Sequence, residues 1–409
     1  MTINTQRVLL HDTLIGMLSF KQGVCEFKLV ESYKRAYPRL VLGQQFLDDL
    51  EQVHLSRSGV APPWFSNLLP EAESPLRKLL VKQAGINSNQ DFFLLHYLGE
   101  DLPGAVRIIA EDDVIEPDSD EELKDEGEGQ SETWSVRFSL AGMQPKFSVL
   151  RGERGFTLPV NGLGGKWIVK LPSPNFPKVP ENEYATMLWA KASGISVPDL
   201  ELVEVKDIAG LPTAARDFPD NLALAVRRFD RLEQNRRVHM EDFAQILGLY
   251  PHEKYSRNYE TLANLILSMT GEAGLDAFIH QLVFVIISGN NDAHQKNWSL
   301  IYPNGVSAEL SPAYDLVSTI QYKQEDMLAL KLANSKRWED VRLESFRQMA
   351  KNIGDEESHM VVRVQAAIDS IINSWNESGK DFGYDSEARK KLERHFRRIP
   401  ILKPNFIKS

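Results

Sequence analysis

Ser288-Gly289-Asn290-Asn291-Asp292-Ala293-His294-Gln295-Lys296-Asn297 sets an aspartate and an asparagine with four residues between them. An apolar run, residues 282–287, leads the chain into this polar stretch. A second acid, Asp315, follows in Ser311-Pro312-Ala313-Tyr314-Asp315-Leu316-Val317, with apolar residues again beside it. Polar residues delivered by apolar segments are held against a core, whereas a solvated turn is not. A carboxylate so placed can accept a hydroxyl proton, and Asn and Asp oxygens are the hard ligands that Mg2+ prefers.

The Asp-x4-Asn spacing is that of a protein-kinase catalytic loop. Phosphoryl transfer needs metal on the phosphates, a cation on the same oxygens and an oriented acceptor hydroxyl. Asp292 is the candidate base, and Asn297 and Asp315 are the candidate Mg2+ ligands. Lys170 sits inside the apolar strand Trp167-Ile168-Val169-Lys170-Leu171, where an unpaired ammonium is costly to bury. A nucleotide phosphate or a carboxylate would satisfy it, and Glu183 on the following helix is the natural partner. The alternative is an edge-strand lysine reaching solvent. His294 lies two residues after Asp292, where protein kinases carry a phosphate-contacting lysine. It could donate to a phosphate or brace the loop, and both readings stay open. Lys296 is expected to neutralise local carboxylates. Ser139-Leu140-Ala141-Gly142-Met143-Gln144 could cover phosphates with backbone amides, although its one glycine departs from G-x-G-x-x-G; an ordinary hairpin is the alternative. An adenine could bond the backbone of Val226-Arg227-Arg228-Phe229-Asp230-Arg231 with Phe229 against its ring, unless this is simply a connecting strand.

Periodicity predicts the surroundings. Short β-like runs at residues 7–10 and 24–30 precede a helix over 75–84. A capping signal, Ser88-Asn89-Gln90-Asp91, opens another helix through Leu98. Strands are expected at 134–138, 146–150, 156–160, 167–171, 200–205 and 222–229, with a helix at 182–193. From residue 241 the pattern turns helical, at 241–249, 259–269, 275–287, 341–353, 359–377 and 386–398. The Asp292 loop and a hairpin over 298–310 interrupt it. The expected class is α+β: a two-lobed, protein-kinase-like fold with a β-rich N-lobe, an added N-terminal α+β subdomain and an all-helical C-lobe. The expected divisions are an N-terminal subdomain (1–110), an acidic linker or loop (111–132), the N-lobe (133–231) and the C-lobe (232–409).

The chain has 409 residues, 42% of them hydrophobic, enough for sizeable cores. Residues 111–132 hold twelve acids and one lysine, a local balance of −11 against −10 for the whole chain. Such a run reads as a solvating segment and says nothing about the site. Outside it the chain is near neutral, without a broad cationic surface. The basic stretch over residues 389–408 reads as a solvated helix face, with a nucleic-acid contact as the alternative. One cysteine, Cys25, cannot form an internal disulfide, which points to a reducing compartment. No signal peptide is expected, and no uninterrupted apolar run approaches the roughly 20 residues of a membrane span. A cytoplasmic protein without membrane contact is the expectation.

On these residues the chain resembles the HipA-type serine/threonine kinases, toxins of bacterial type II toxin–antitoxin pairs. The resemblance extends over Asn67-Leu68-Leu69-Pro70-Glu71, Gly99-Glu100-Asp101-Leu102-Pro103-Gly104-Ala105-Val106, the loop from Ser139 to Lys146, Ile168-Val169-Lys170-Leu171-Pro172, Asn182-Glu183-Tyr184, Arg228-Phe229-Asp230-Arg231, residues 289–297 and residues 311–317. It implies ATP and Mg2+ as cofactors, Asp292 as base, Asn297 and Asp315 on the metal, and Lys170 on the nucleotide phosphates; with His294 as a further candidate, Asp292 and Lys170 make up the expected catalytic set. The candidate nucleotide contacts are Ser139, Leu140, Ala141, Gly142, Lys170, Arg228, Phe229 and His294, and the resemblance implies Ser139 as a self-phosphorylation site. It further implies a HipB-like DNA-binding antitoxin as partner, operator DNA reached mainly through that antitoxin, and a protein substrate such as an aminoacyl-tRNA synthetase. At Arg227 the chain departs from the family's best-known member, which carries a glutamate. A catalytically weak antitoxin-binding co-repressor and a small-molecule kinase are the competing functions.

Overall fold

The computed structural model describes residues 4–86, 90–110, 146–152, 155–158, 165–173, 175–211, 220–322 and 327–403. The first sheet is antiparallel, with β1 (Asn4–Leu10), β2 (Thr13–Lys21), β3 (Val24–Leu29), β4 (His54–Ser56) and β5 (Val106–Ala110) in the order β4-β3-β2-β1-β5. Two helices pack beside it. Pro75–Ala84 begins where Ser74 accepts from the Arg77 amide (3.1 Å) and ends at the left-handed Gly85. Asp91–Leu98 lacks the expected side-chain cap: Gln90 makes none, and Ser88 and Asn89 lie outside the described residues. Asp91 instead turns inward, where it accepts from the Ala61 amide and the Ser66 hydroxyl and pairs with Arg77.

The second sheet holds β6 (Lys146–Gly152), β7 (Gly155–Thr157), β8 (Trp167–Lys170), β9 (Leu200–Glu204), β10 (Ile208–Ala209) and β11 (Leu222–Arg227), ordered β10-β7-β6-β8-β11-β9. Among the described residues of this sheet, only the β10–β7 pair is parallel. β8 is interior, so Lys170 is not an edge lysine. The helix Val179–Ala192 crosses to this sheet. Val8, Leu18 and Phe27 of the first sheet share one continuous apolar core with Phe147, Val169 and Ala225 of the second.

Arg228 and Arg231, just after β11, fasten this junction. Both are buried against Asp101 and Asp230 at 2.8–3.1 Å, and Asp230 also accepts the Gly104 amide. Such buried charges are tolerable only when fully paired; removing one partner typically costs about 3–5 kcal/mol.

The rest is mostly helical, around a second core that includes Phe278, Phe284, Trp298, Trp338 and Trp375. The sequence predicts an all-helical lobe here, and the lobe is not all-helical. β12 (His239–Asp242), β13 (Ser299–Tyr302) and β14 (Glu309–Leu310) form a small antiparallel sheet. The expected helix over 241–249 is therefore a strand followed by one short helix, Phe243–Ile246. Asp242 and Gln245 form a capping box there that fixes the switch. The helix Tyr259–Ser288 leaves helical geometry at Gly271, between the two helices expected from sequence. By length and composition it could cross a membrane, yet most of its apolar window is packed in the protein core. The helices Leu343–Ile353, Glu357–Ser378 and Ser386–Arg398 complete this lobe.

Candidate active site

Gly289 ends the helix Tyr259–Ser288 in the left-handed conformation (φ 66°) and turns the chain into the Asp292 loop. A Cβ there would lie 2.8 Å from Ile320, so both backbone and space require glycine. The buried Asn290 accepts the Asp292 amide on Oδ1 (2.9 Å). Asn291 donates its amide to Thr319 (2.8 Å), whose hydroxyl donates to the Gly289 carbonyl (2.9 Å). The Asp292 carbonyl accepts from the His294 amide (2.8 Å) and from Asn297 Nδ2 (2.7 Å). The Asp-x4-Asn spacing thus closes one pinned turn with both side chains at the cleft.

Lys170 meets Glu183 and Asp315 together, and its ammonium bonds both carboxylates. Lys146, its cross-strand neighbour, lies 3.8 Å from the other Asp315 oxygen. Burial alone would lower the Lys170 pKa, but Asp315 and Glu183 outweigh it and hold it above its ordinary value. Burial would likewise raise Asp315, yet Lys170 and Lys146 hold it well below the carboxylate range. Burial pushes Glu183 up despite Lys170, and pushes Lys146 down despite Asp315. Sequence reasoning did not single out Lys146, because it opens its strand after Gln144-Pro145 and lacks the apolar neighbours on both sides that marked Lys170. Asp315 has φ +54°, a left-handed conformation uncommon outside glycine though tolerated by aspartate.

Asp292 is half-exposed. Its pKa is raised by desolvation in the cleft wall, against a hydrogen bond from Tyr255 and the charge of Lys254. The Tyr255 hydroxyl donates to Asp292 Oδ1 at 2.7 Å. His294 Nε2 is 3.8 Å from that oxygen, beyond a hydrogen bond, and Nδ1 is buried without a partner among the described residues. Burial first, then Lys254 and Lys296, push the imidazole down to about 3, so the ring is neutral. Lys296 bonds the Asn67 carbonyl and Oδ1 and lies 3.2 Å from Asp242. It ties the loop to the N-terminal unit as well as neutralising one carboxylate.

These groups line one cleft of about 720 Å³ between the second sheet and the helical lobe. Phe229 also lines it, with its ring 5.8 Å from Tyr314. Arg228 reaches the cleft wall, but its guanidinium is committed to Asp101 and Asp230, which differs from a side-chain contact to nucleotide. The amides of Arg227 and Arg228 are bonded to Asp199 and Lys166 carbonyls. Ser139, Leu140, Ala141 and Gly142 lie outside the described residues. Tyr255 and Lys254 carry no signal in the sequence, because they reach Asp292 only through tertiary folding.

The oxygen set suits Mg2+. Asp315 is held ionised, and Asn297 has committed its amide nitrogen, which leaves a carbonyl oxygen as ligand. Among the described residues no cluster of three or more His, Cys, Asp or Glu could hold a metal alone. The remaining ligands would be water and phosphate, the usual Mg2+ arrangement at nucleotides.

A family model of the HipA-like C-terminal domain matches residues 138–375, and one of the HipA N-terminal domain matches residues 6–109. Y4dM of Sinorhizobium fredii, which is named as a kinase, is 41% identical over 338 residues, covering 81% of this chain and 78% of the relative. The serine/threonine-protein kinase toxin HipA of Shewanella oneidensis is 28% identical over 298 residues, 64% of each chain. Among solved structures, Shewanella oneidensis HipA, in a complex with HipB and operator DNA, superposes with a TM-score of 0.70 at 22% identity. That superposition covers 99% of this chain and 100% of that one. The expected α+β, two-lobed kinase-like fold is borne out, apart from the sheet within the helical lobe. With both family domains in order along one chain, this protein belongs to the HipA family of kinases.

Proposed function

We propose that the chain is an ATP- and Mg2+-dependent protein serine/threonine kinase that arrests growth by phosphorylating a translation component such as an aminoacyl-tRNA synthetase. The observation that supports this most is the convergence of Lys170, Glu183, Asp315, Asp292 and Asn297 on one cleft. A binding scaffold has no use for a buried lysine between two carboxylates opposite a half-exposed aspartate.

Lys170 stays protonated at neutral pH and would hold phosphate oxygens, while Glu183 fixes its position. Phe229, Ile168 and Val226 offer an apolar wall to adenine. Asp292 accepts the hydrogen bond of the acceptor hydroxyl. As the hydroxyl oxygen bonds the γ-phosphorus and the bond to the ADP oxygen breaks, the proton passes to the Asp292 carboxylate. Desolvation raises that carboxylate's basicity, which favours the transfer. Mg2+, held by Asp315 and Asn297, would supply charge neutralisation on the phosphates. The neutral His294 has a buried nitrogen unpaired among the described residues and can donate a hydrogen bond but not a charge.

Ser139 is the proposed self-phosphorylation site. A phosphoserine there would bring up to two negative charges to the phosphate loop and repel ATP. A HipB-like antitoxin is the proposed partner, by likeness to the relative solved with HipB and operator DNA. DNA would be reached mainly through it, since the chain outside residues 111–132 is near neutral. The proposed compartment is the reducing cytoplasm, in keeping with the buried, unpaired Cys25.

The test is transfer of labelled γ-phosphate from ATP by the wild type and Asp292→Ala, with phosphopeptide mapping. Loss of a general base should lower transfer by roughly 10²–10⁴-fold while nucleotide binding persists. Equal incorporation by both proteins would overturn the mechanism.

A further inference from the structure

Asp292 is reached by a chain of contacts that starts in the N-terminal unit. Glu71 bonds the Lys254 ammonium at 2.6 Å. Lys254 lies 5.5 Å from the centre of the Tyr255 ring, and Lys336 lies 6.0 Å from it. The same ring stands edge-on to the buried His294, 5.1 Å between centroids. Its hydroxyl donates to Asp292 Oδ1 at 2.7 Å.

We infer that Tyr255 is a positioning residue for Asp292, and that Glu71 of the N-terminal unit holds it in place through Lys254. The inference rests on the kinase reading above. A half-exposed carboxylate on a loop would otherwise sample several rotamers, and only some direct an oxygen at an acceptor hydroxyl. The tyrosine hydroxyl fixes one oxygen and leaves the other for the acceptor. Burial and the Asp292 charge push the Tyr255 pKa far up, so the phenol remains a donor at any working pH. Tyr255 is 41% exposed, and it is Lys254, Lys336 and His294, all within 6.0 Å of its ring centre, that restrict it.

The arrangement also gives a use to Asn67-Leu68-Leu69-Pro70-Glu71, a motif outside the kinase lobes. Asn67 holds Lys296, the residue before the metal candidate Asn297, while Glu71 holds the support of Asp292. The first sheet's unit thus grips both functional positions of the loop, five residues apart in sequence. It acts as a structural part of the active site as well as a companion domain.

The experiment compares full-length wild type, Tyr255→Phe, Glu71→Gln and the double variant in phosphate transfer from ATP. Tyr255→Phe keeps the ring and removes one hydrogen bond to a charged group, so kcat should fall by about tenfold. The KM for ATP should stay within about twofold, as expected when only transition-state positioning is lost. Glu71→Gln should lower kcat less, and the double variant should match Tyr255→Phe, because both act on one chain of contacts. Melting temperatures separate this from unfolding: Glu71→Gln carries the test should Tyr255→Phe melt early. Wild-type kcat in Tyr255→Phe, a rise in ATP KM that accounts for the loss, or additive effects in the double variant would overturn the assignment. No transfer by the wild type would instead overturn the kinase reading on which it rests.

Discussion

At the scale of single residues, Lys170 shows how burial converts a charge into a site. Nothing apolar surrounds an ammonium cheaply, so a lysine inside an apolar strand must have partners. Here it has two, Glu183 and Asp315. Lys170→Met should abolish nucleotide binding and also destabilise the fold by about 3–5 kcal/mol, because Glu183 is left buried without its cation. Adding Glu183→Gln should recover part of the melting temperature and none of the nucleotide binding. Isothermal titration with a non-hydrolysable ATP analogue, beside thermal melts, checks both. This pairing was legible in the sequence, since the cost of a buried charge is local. The support of Asp292 by Tyr255 was not, because nothing in an isolated Lys254-Tyr255 pair marks it as facing a residue 37 positions on.

At the scale of elements, β12 carries a buried carboxylate where sequence suggested a helix. Periodicity alone does not separate four residues of strand from the first turn of a helix. Pairing with β13 and the Asp242 cap decided it. Glu241 on β12 accepts from the Gln44 amide, the Trp64 indole and the Tyr302 hydroxyl, at the junction with the N-terminal unit. Burial outweighs these bonds and pushes its pKa up to about 7. The folded protein therefore binds this proton more tightly than the unfolded chain does. Its contribution to stability is complete below about pH 4.5 and is lost as pH rises through about 7. Glu241→Gln should flatten that decline, which amounts to up to about 3 kcal/mol at one pKa unit per 1.36 kcal/mol. The variant should be at least as stable as wild type at pH 8. Urea unfolding from pH 5 to pH 8 measures it, and an unchanged slope would rule out Glu241 as the source.

For the whole molecule, the first and second sheets share one apolar core, and the buried Arg228, Arg231, Asp101 and Asp230 cluster crosses the same junction. Units joined this way unfold together. Residues 4–110 and the second sheet should melt in a single transition, so tryptophan fluorescence dominated by Trp64 should lose signal at the same temperature as that from Trp167. Single-tryptophan variants measure this, and two resolved transitions would show that the units are separable. The motif at residues 67–71 reaches the loop at 292–297 by polar contacts instead, Asn67 to Lys296 and Glu71 to Lys254, because the loop's Ala293 packs in the second core.

The sequence by itself determined the kind of chemistry and most of the regular elements. Charge burial, glycine at a helix end and apolar periodicity act over a few residues, and so they are written locally: Lys170, Gly289, and helices such as Pro75–Ala84 and Ser386–Arg398 follow directly. Only the tertiary structure decided which partners meet. It set the guanidinium of Arg228 against carboxylates, opened the helical lobe with a strand, gave Lys170 a cross-strand neighbour in Lys146, and brought Glu71 and Tyr255 to Asp292. Those outcomes depend on long-range packing, where the desolvation of one group is balanced by another far along the chain, and no local pattern encodes that balance.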